Sequence, residues 1–281
     1  MKCTTATHAG RGSTMRCCRA VSAITSRRHP IAVRIREVAR GDRSLALVDG
    51  WHLLHEATSS GMAIDLVAVV EQPTAEGDAR LLRELQRSAV RVVTVASSVM
   101  DALSPVRTPS GIVALVRRRE GDLASVTAGA EPLVLVAVDV QDPGNTGAII
   151  RSAEAGGATG AICAGSTADP WGWKALRAGM GSTFRLPLHQ ERDGAAVCQD
   201  LRARGLQVIA TVLDEAPPMH AVDLRGPTAL LLGGEGDGLS QEILRVADSR
   251  ITIPMQAPVD SLNVAVAAGV LVYEARRQRT T

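Results

Sequence analysis

The sequence predicts an α/β fold in which a mostly parallel sheet is covered by helices on both faces. Short apolar segments alternate with helix-like segments along most of the chain, and this alternation is typical of parallel sheets. Residues 133–140 are almost entirely apolar, as expected for a strand that is buried on both faces. A Pro-Gly turn and a helix follow this strand directly. Open α/β folds place their active sites at the carboxyl ends of the strands, where this turn lies.

Residues 29–118 are expected to form a smaller α/β domain that precedes the main sheet. Four short apolar runs predict strands, and the segments between them predict helices. The predicted strands are residues 45–48, 64–70, 90–95 and 112–116. The predicted helices are residues 50–59, 77–88 and 97–103.

Residues 1–28 are expected to form a disordered basic extension, because they contain six basic residues, no acidic residue and no hydrophobic period. An organellar transit peptide, or a true start at Met15, fits the composition as well. Residues 1–43 carry ten basic and two acidic side chains, whereas the whole chain has a net charge of +2. A polyanion would therefore be met first by this end, although a general arginine bias of the source proteome would also explain the excess.

Residues 119–131 are charged and aperiodic, so we expect them to link the first domain to a second one at residues 132–281. The first helix of the second domain is expected to have Asn145 as its N-cap and to end at Gly156-Gly157. After residues 133–140, the predicted strands are residues 160–164, 184–188, 206–213, 228–232 and 251–254. The remaining predicted helices are residues 171–179, 194–204, 240–247 and 261–277.

Composition excludes some classes of protein. No apolar run approaches the roughly 20 residues that cross a bilayer, so no membrane segment is expected. The five cysteines and six histidines show no metal-ligand spacing, which predicts reduced thiols in the cytoplasm and no zinc site. Only 2% of residues are aromatic, so any grip on RNA should depend on arginine and backbone, with Trp171 and Trp173 favoured as core residues.

Four segments of the second domain carry glycines and polar side chains in a specific order, namely residues 139–158, 230–240, 251–255 and 260–269. In this order and spacing they resemble the SpoU/TrmH-like branch of the SPOUT methyltransferases, over about half the chain. The resemblance implies transfer of a methyl group from S-adenosyl-L-methionine to a ribose 2′-hydroxyl of RNA. It also implies a C-terminal trefoil knot and a homodimer formed through the knot region.

The same resemblance assigns roles to individual residues. The catalytic set is Asn145, Arg151, Glu235, Ser261 and Asn263. Arg151 would stabilise the developing alkoxide and grip a phosphate; some family mechanisms make it the base, but a guanidinium stays protonated in proteins. Asn145 and Asn263 would orient Arg151 and the phosphate, Ser261 would lie at the substrate, and Glu235 would fix the loop or a dimer contact. The cofactor set is Thr211, Gly233, Gly234, Ile253 and Leu262.

The residues alone leave structural alternatives open. Arg151 is equally typical of an exposed helix surface, and both Asn145 and Ser261 are typical helix caps. The loop at residues 233–238 has four glycines in six positions, which also suits a flexible turn before a cap at Ser240. Its glycine spacing matches neither the dinucleotide-binding nor the P-loop pattern.

Residues 48–57 and 108–113 resemble the substrate-binding domain often fused ahead of SpoU-type catalytic domains, although Asp49 stands where the family often has glutamate. That domain is similar in fold to ribosomal proteins that bind kinked RNA, and its presence favours ribosomal RNA over tRNA as the substrate. The helix at residues 261–277 is apolar nearly all round, which predicts cover by a second subunit.

Two further functions compete with ribose methylation. A catalytically silent RNA-binding homologue would keep the fold, but the intact polar set argues against it. A related knotted enzyme would instead methylate a base nitrogen. Mapping the transferred methyl group to ribose or base separates these hypotheses.

Overall fold

The computed structural model describes residues 23–88, 90–119, 121–236 and 238–280, and it contains two α/β sheets in series. Most of the basic extension expected at residues 1–28, with the transit-peptide alternative, lies outside the described residues. In the described part of the chain, no helix is long and apolar enough to cross a membrane.

The N-terminal domain has a mixed four-stranded sheet in the order β1-β4-β2-β3. Its strands are β1 (Leu45–Asp49), β2 (Ile64–Val69), β3 (Arg91–Thr94) and β4 (Ile112–Arg117). Strand β4 runs antiparallel to β1 and β2, and β2 runs parallel to β3. Its helices are α1 (Pro30–Arg40), α2 (Trp51–Ser59), α3 (Glu76–Arg87) and α4 (Ser97–Leu103). The strands and helices predicted for this domain are thus confirmed.

Helix α1 was missed by the sequence-based prediction. Its buried residues Ile31, Ile35 and Val38 recur at helical spacing, and Pro30 occupies the first turn. The ring nitrogen Nδ1 of His29 accepts a hydrogen bond of 3.3 Å from the backbone N–H of Ile31. The apolar period was hard to recognise because it is short and lies in the arginine-rich part of the chain.

The C-terminal domain has a six-stranded parallel sheet in the order β10-β8-β9-β5-β6-β7. Its strands are β5 (Leu133–Val138), β6 (Gly160–Ala164), β7 (Leu188–Glu191), β8 (Gln207–Thr211), β9 (Thr228–Gly233) and β10 (Ser249–Ile251). Its helices are α5 (Leu123–Val126), α6 (Pro143–Gly156), α7 (Trp173–Gly179), α8 (Ser182–Arg185), α9 (Gly194–Ala203), α10 (Gln241–Val246) and α11 (Val264–Thr280), with a 3₁₀ turn at Met219–Ala221. The predicted mostly parallel sheet is confirmed.

Helices cover both faces of this sheet. Alternate residues of β5 enter two different apolar clusters: Leu135 packs with residues of α6 and α11, and Val136 packs with residues of α9 and α10. Every residue of β5 is buried. This two-sided burial explains why the strand is a continuous apolar run rather than an alternating one.

The strand predicted at residues 184–188 is wrong except for its last residue, Leu188. Phe184 lies in the short helix α8, and β7 begins only at Leu188. Pro187 separates the two elements, because a proline disfavours helical geometry in the residue before it. The buried ring of Phe184 packs instead against the ring of Trp171, with 6.2 Å between the ring centroids.

The segment between the domains is more ordered than the aperiodic linker predicted at residues 119–131. Asp122 and Ser125 form a reciprocal capping box that starts α5. Val126 is fully buried and joins the apolar cluster that includes Val134 of β5. The segment is therefore anchored to the second sheet.

The two domains share one apolar core. Trp171, Leu176 and Phe184 of the second domain belong to the same buried cluster as Leu54 and Val116 of the first. This confirms the expectation that Trp171 is a core residue. Because large side chains of both domains are buried together, the second domain should lose stability without the first.

Polar contacts reinforce this junction. Arg118 Nη1 lies 2.7 Å from Asp169 Oδ2, and the Arg118 side chain is only 11% exposed. The Arg119 guanidinium donates to the backbone carbonyl oxygens of Ser60, at 2.7 Å, and Phe184, at 3.2 Å. Two consecutive arginines at the end of β4 therefore fasten the first domain to the second.

Candidate active site

The first part of the candidate site lies where β5 leads into α6. Asp142, not Asn145, is the N-cap of α6, because its carboxylate accepts a 2.8 Å hydrogen bond from the backbone N–H of Asn145. Pro143 occupies the first turn, where a missing N–H costs nothing. The prediction that Asn145 caps the helix was therefore wrong. Because Asp142 is the cap, the side chain of Asn145 is available for other contacts.

The side chain of Asn145 joins two distant segments. Its Nδ2 donates to Glu235 Oε1, and its Oδ1 accepts a 3.0 Å hydrogen bond from Asn263 Nδ2. Both polar ends of the amide are thus occupied, so its orientation is fixed. Three of the five candidate catalytic residues form one hydrogen-bonded row, which we call the amide row: Asn263, Asn145 and Glu235.

Asn263 also starts the last helix. Its Oδ1 accepts hydrogen bonds from the backbone N–H groups of Ala265, at 3.0 Å, and Val266, at 3.3 Å. Asn263 therefore caps α11, and the alternative that Ser261 is the cap is wrong. The exposed Ser261 hydroxyl instead donates to Asp260 Oδ1 at 3.3 Å. One amide side chain both starts α11 and holds Asn145.

A tight glycine turn lies beside the amide row, at the carboxyl end of β9. A Cβ on Gly233 would overlap the backbone of Gly238, and a Cβ on Gly234 would overlap the carbonyl oxygen of Asp139. Only glycine permits this approach of three backbone segments. Asp139 itself has φ of +57°, and its carboxylate accepts hydrogen bonds from the N–H and hydroxyl of Ser166.

The other candidate cofactor residues lie at the same sheet edge. Thr211 ends β8 and pairs in register with Ile251 of β10. Its hydroxyl is buried without a hydrogen-bond partner among the described residues, which costs about 1–3 kcal/mol. Ile253 packs on the edge of the core, whereas Leu262 is 39% exposed. A close backbone cradle with an orphaned hydroxyl beside it fits an adenosyl ligand, whose polar edges would satisfy that hydroxyl.

Arg151 lies apart from the amide row. It follows Asn145 by six residues on α6, which corresponds to about 9 Å along the helix axis. Its exposed side chain makes no hydrogen bond or ion pair with any residue that the structure describes. Arg151 lines an open groove of about 420 Å³ between the two domains, together with His52, Met180 and Arg185.

Sequence reasoning missed several residues of this region. Asp139 carries a left-handed backbone that glycine or asparagine usually adopts, and no sequence pattern announces it. His52 and Arg185 reach the groove of Arg151 only because the two domains pack together. The β1–α2 junction of the resembled substrate-binding domain was a signal for His52, whereas nothing local pointed to Arg185.

The two buried thiols, Cys163 and Cys198, are not suited to act as nucleophiles or metal ligands. Burial raises the pKa of Cys163 to about 12 and that of Cys198 to about 11, so both thiols stay protonated near neutral pH. Protonated thiols are poor nucleophiles and poor metal ligands. Within the described residues, no group of three or more His, Cys, Asp or Glu side chains is placed to hold a metal ion.

An apolar surface lies beside the site. Leu262 precedes α11, and Val266 and Tyr273 lie on that helix with exposed fractions of 51% and 53%. Several exposed large apolar side chains on one helix and the residues before it are typical of a protein–protein contact.

Comparison with known proteins identifies both halves of the chain. Residues 132–273 match the model of the SpoU rRNA Methylase family, and residues 36–114 match the MRM3-like substrate binding domain. An uncharacterized tRNA/rRNA methyltransferase of Synechocystis is 31% identical over 92% of this chain and 95% of its own length. The 23S rRNA (guanosine(2553)-2′-O)-methyltransferase RlmP of Bacillus subtilis is 31% identical over 82% of this chain and 88% of its own length.

Solved structures agree in fold. The SpoU methyltransferase AviRb from Streptomyces viridochromogenes, in complex with the cofactor AdoMet, superposes with a TM-score of 0.80 at 30% identity and covers 88% of this chain and 98% of its own. An AdoMet-bound rRNA methyltransferase from Sinorhizobium meliloti gives a TM-score of 0.80 at 30% identity over 91% of this chain and 97% of its own.

Proposed function

This chain belongs to the SpoU rRNA methylase family, and on that premise we propose that it is an S-adenosyl-L-methionine-dependent methyltransferase acting on a ribose 2′-hydroxyl of ribosomal RNA. The observation that carries the proposal is the amide row beside the tight glycine turn. Methyl transfer requires a nucleophilic oxygen held in line with the methyl group. Side chains fixed at both ends beside a ligand cradle meet that requirement.

The chain itself has to orient the ribose and stabilise charge. S-adenosyl-L-methionine, when bound, supplies an electrophilic methyl group on a sulfonium. Asn145 and Asn263 would hold the ribose and its phosphate, because their amides are already oriented by mutual hydrogen bonding. Arg151, whose guanidinium is uncommitted, would stabilise negative charge on the oxygen that loses its proton. Glu235 accepts from Asn145 and would therefore act by positioning that amide; Ser261 would contact the substrate from the adjacent loop.

The cofactor would be held mainly by backbone. Gly233 and Gly234 supply an approach that no larger residue allows, and the Thr211 hydroxyl supplies an unused polar group. Ile253 and Leu262 would cover the apolar parts of the adenosyl group. The family resemblance suggests these assignments, and the close backbone approach at the glycine turn and the unpaired hydroxyl of Thr211 support them. The loop matches neither the dinucleotide-binding nor the P-loop sequence motif.

Ribosomal RNA is the substrate class that we favour over tRNA. RlmP of Bacillus subtilis and several relatives named RlmB are called 23S rRNA guanosine 2′-O-methyltransferases. The N-terminal domain, which matches a substrate-binding model, stands beside the groove of Arg151 and would present the RNA to it. We propose residues 29–118 as this RNA-binding unit, residues 119–131 as the connection and residues 132–281 as the catalytic unit. A ribosomal RNA substrate also favours a cytoplasmic location.

We further propose a homodimer that uses the apolar surface of α11. Val266 and Tyr273 are exposed large apolar side chains on this helix, and a second copy would cover them. The opposite face of the helix is buried in the core through Val264, Ala268, Leu271, Val272 and Ala275. The C-terminal trefoil knot stays a prediction from the family resemblance. The parallel sheet order and the packing of α11 on α6 are compatible with it.

One experiment tests the proposed function. The protein is incubated with radiolabelled S-adenosyl-L-methionine and, in separate reactions, with ribosomal RNA or tRNA that lacks ribose methylation, and the RNA is digested to nucleosides. We expect label in a 2′-O-methylated nucleoside. Label in a methylated base would favour the base-nitrogen enzyme, whereas cofactor binding by a folded protein without any transfer would favour the silent RNA-binding homologue. Transfer to tRNA alone would contradict the ribosomal substrate.

A further inference from the structure

Helix α6 carries a carboxylate one turn after Arg151. Residues three positions apart on a helix lie about 5–6 Å apart at Cβ, and opposite charges at that spacing attract each other. Glu154 is therefore the natural local partner of Arg151. Yet Arg151 has no ion pair with any side chain in the described part of the chain.

Glu154 does not pair with Arg151 because it is already paired with Arg185. The Nε of Arg185 lies 2.6 Å from Glu154 Oε1, and its Nη2 lies 2.9 Å from Glu154 Oε2. The guanidinium thus holds both oxygens of the carboxylate in a two-pronged pair, which is the strongest common geometry for such groups. Glu154 is only 27% exposed, so solvent screens this pair less than a fully exposed one.

The first domain contributes to the same contact. The third nitrogen of Arg185, Nη1, pairs with Glu56 on α2 of the N-terminal domain. Arg185 therefore joins α6 to the N-terminal domain. Burial raises the pKa of Glu154, but hydrogen bonds from Arg185 and Ser182 outweigh burial and lower the pKa below its usual value. Glu154 is therefore ionised at neutral pH and would attract Arg151 if Arg185 released it.

We propose that Arg185 is a positioning residue for methyl transfer: by holding Glu154, it keeps the guanidinium of Arg151 free for the RNA substrate. The inference rests on the proposed function and deepens it. It gives the docked N-terminal domain a part in catalysis, because Glu56 helps to hold Arg185 in place.

The test first removes the guanidinium of Arg185 and then removes the carboxylate of Glu154, which would otherwise pair with Arg151. Arg185→Gln should lower kcat by about tenfold or more, because the freed carboxylate of Glu154 pairs with Arg151, while the dissociation constant for S-adenosyl-L-methionine stays within about twofold. Adding Glu154→Gln to that variant should recover most of the lost kcat. The matched control is Arg202→Gln, which breaks an exposed pair with Asp248 at the opposite edge of the sheet and should leave transfer unchanged.

The recovery distinguishes this role from a structural one. If the double variant is as slow as Arg185→Gln, or slower, the proposal is overturned. A rise in KM for RNA with unchanged kcat would make Arg185 an RNA contact and would also overturn it. Should Arg185→Gln fail to fold, Arg185→Lys is tested instead, because lysine keeps the positive charge but cannot bind both oxygens of Glu154 at once. We then expect a smaller loss of kcat, which Glu154→Gln again recovers. Absence of transfer by the wild-type protein would contradict the proposed function instead.

Discussion

Asn263 donates its side-chain N–H to the side-chain oxygen of Asn145 at 3.0 Å, and the two residues are 118 positions apart in the chain. The contact closes the candidate site, because it ties the start of the last helix to the first turn of α6. Asn263 caps α11 with its oxygen and holds Asn145 with its nitrogen, so the two duties can be separated by mutation.

We predict that Asn263→Ser and Asn263→Ala separate stability from activity. Serine keeps an oxygen that caps α11 but loses the amide donor, so it should abolish methyl transfer with little change in melting temperature. Alanine loses both and should also lower the free energy of unfolding by about 1 kcal/mol. Thermal melting and transfer assays on the same samples check this. Wild-type transfer by the serine variant would remove Asn263 from the proposed site.

Thr211→Val should separate the fold from cofactor binding. Valine has the same shape but no hydroxyl, and the hydroxyl of Thr211 is buried without a partner. We expect an unliganded protein that is as stable as wild type or up to about 1 kcal/mol more stable, with at least about tenfold weaker binding of S-adenosyl-L-methionine.

Thr183→Val is the matched control for that experiment. The hydroxyl of Thr183 is likewise buried without a partner in the described structure, but it lies on α8 rather than at the glycine turn. It should change stability in the same direction and leave cofactor affinity unchanged. Calorimetric titration of both variants measures the difference; equal effects on binding would exclude a direct role for Thr211.

Gly234→Ala should weaken cofactor binding by disturbing the tight turn. The added methyl group would overlap the carbonyl oxygen of Asp139, so the loop has to move. Overpacking of this kind costs about 1–3 kcal/mol. Gly226→Ala, where nothing lies within 4 Å of the added carbon, is the control and should bind the cofactor normally. Unchanged affinity in Gly234→Ala would show that the turn does not form the cradle.

The buried thiol of Cys163 should make the protein less stable in alkali. Its folded pKa of about 12 lies above the unfolded value of about 8.5. Between these values the unfolded chain has lost the proton and the folded chain has kept it, so stability falls as the pH rises, by up to about 1.4 kcal/mol per pH unit.

Denaturant unfolding between pH 8 and pH 10 tests this dependence. Cys163→Ala should show a shallower fall of the free energy of unfolding over that range, because the buried acid is gone. The reference is its own value near pH 7, since the smaller side chain also leaves a cavity. An identical slope in both proteins would show that other groups cause the alkaline loss.

Val266→Asp should convert the proposed dimer to a monomer. A carboxylate in the centre of an apolar contact would be buried without a partner, which is strongly unfavourable. Analytical ultracentrifugation gives the mass directly, and Gln86→Asp on the exposed face of α3 should leave it unchanged. A monomeric wild-type protein would refute the dimer, whereas a dimeric Val266→Asp protein would move the contact elsewhere.

The sequence alone determined the two-domain α/β organisation, most of the strands and helices, and the segments that carry the site. The domains, strands and helices follow from the hydrophobic period and from glycine and asparagine at turns, which are local features of the chain, whereas the segments of the candidate site follow from the resemblance to the SpoU/TrmH-like family. Even so, Phe184 lies in a helical turn that ends before Pro187 instead of in a strand, and Asp142 rather than Asn145 caps α6. Aspartate and asparagine are equally good caps, so the sequence did not decide between Asp142 and Asn145.

Only the tertiary structure decided which side chains meet. The amide row joins segments 118 and 90 positions apart, and Arg185 reaches Glu56 across 129 positions. No local pattern contains such contacts, because they depend on how the sheet order and the packed domain interface bring distant segments together. The sequence therefore determined which polar groups the chain carries, whereas chain folding decided that Glu154 pairs with Arg185 and leaves Arg151 free.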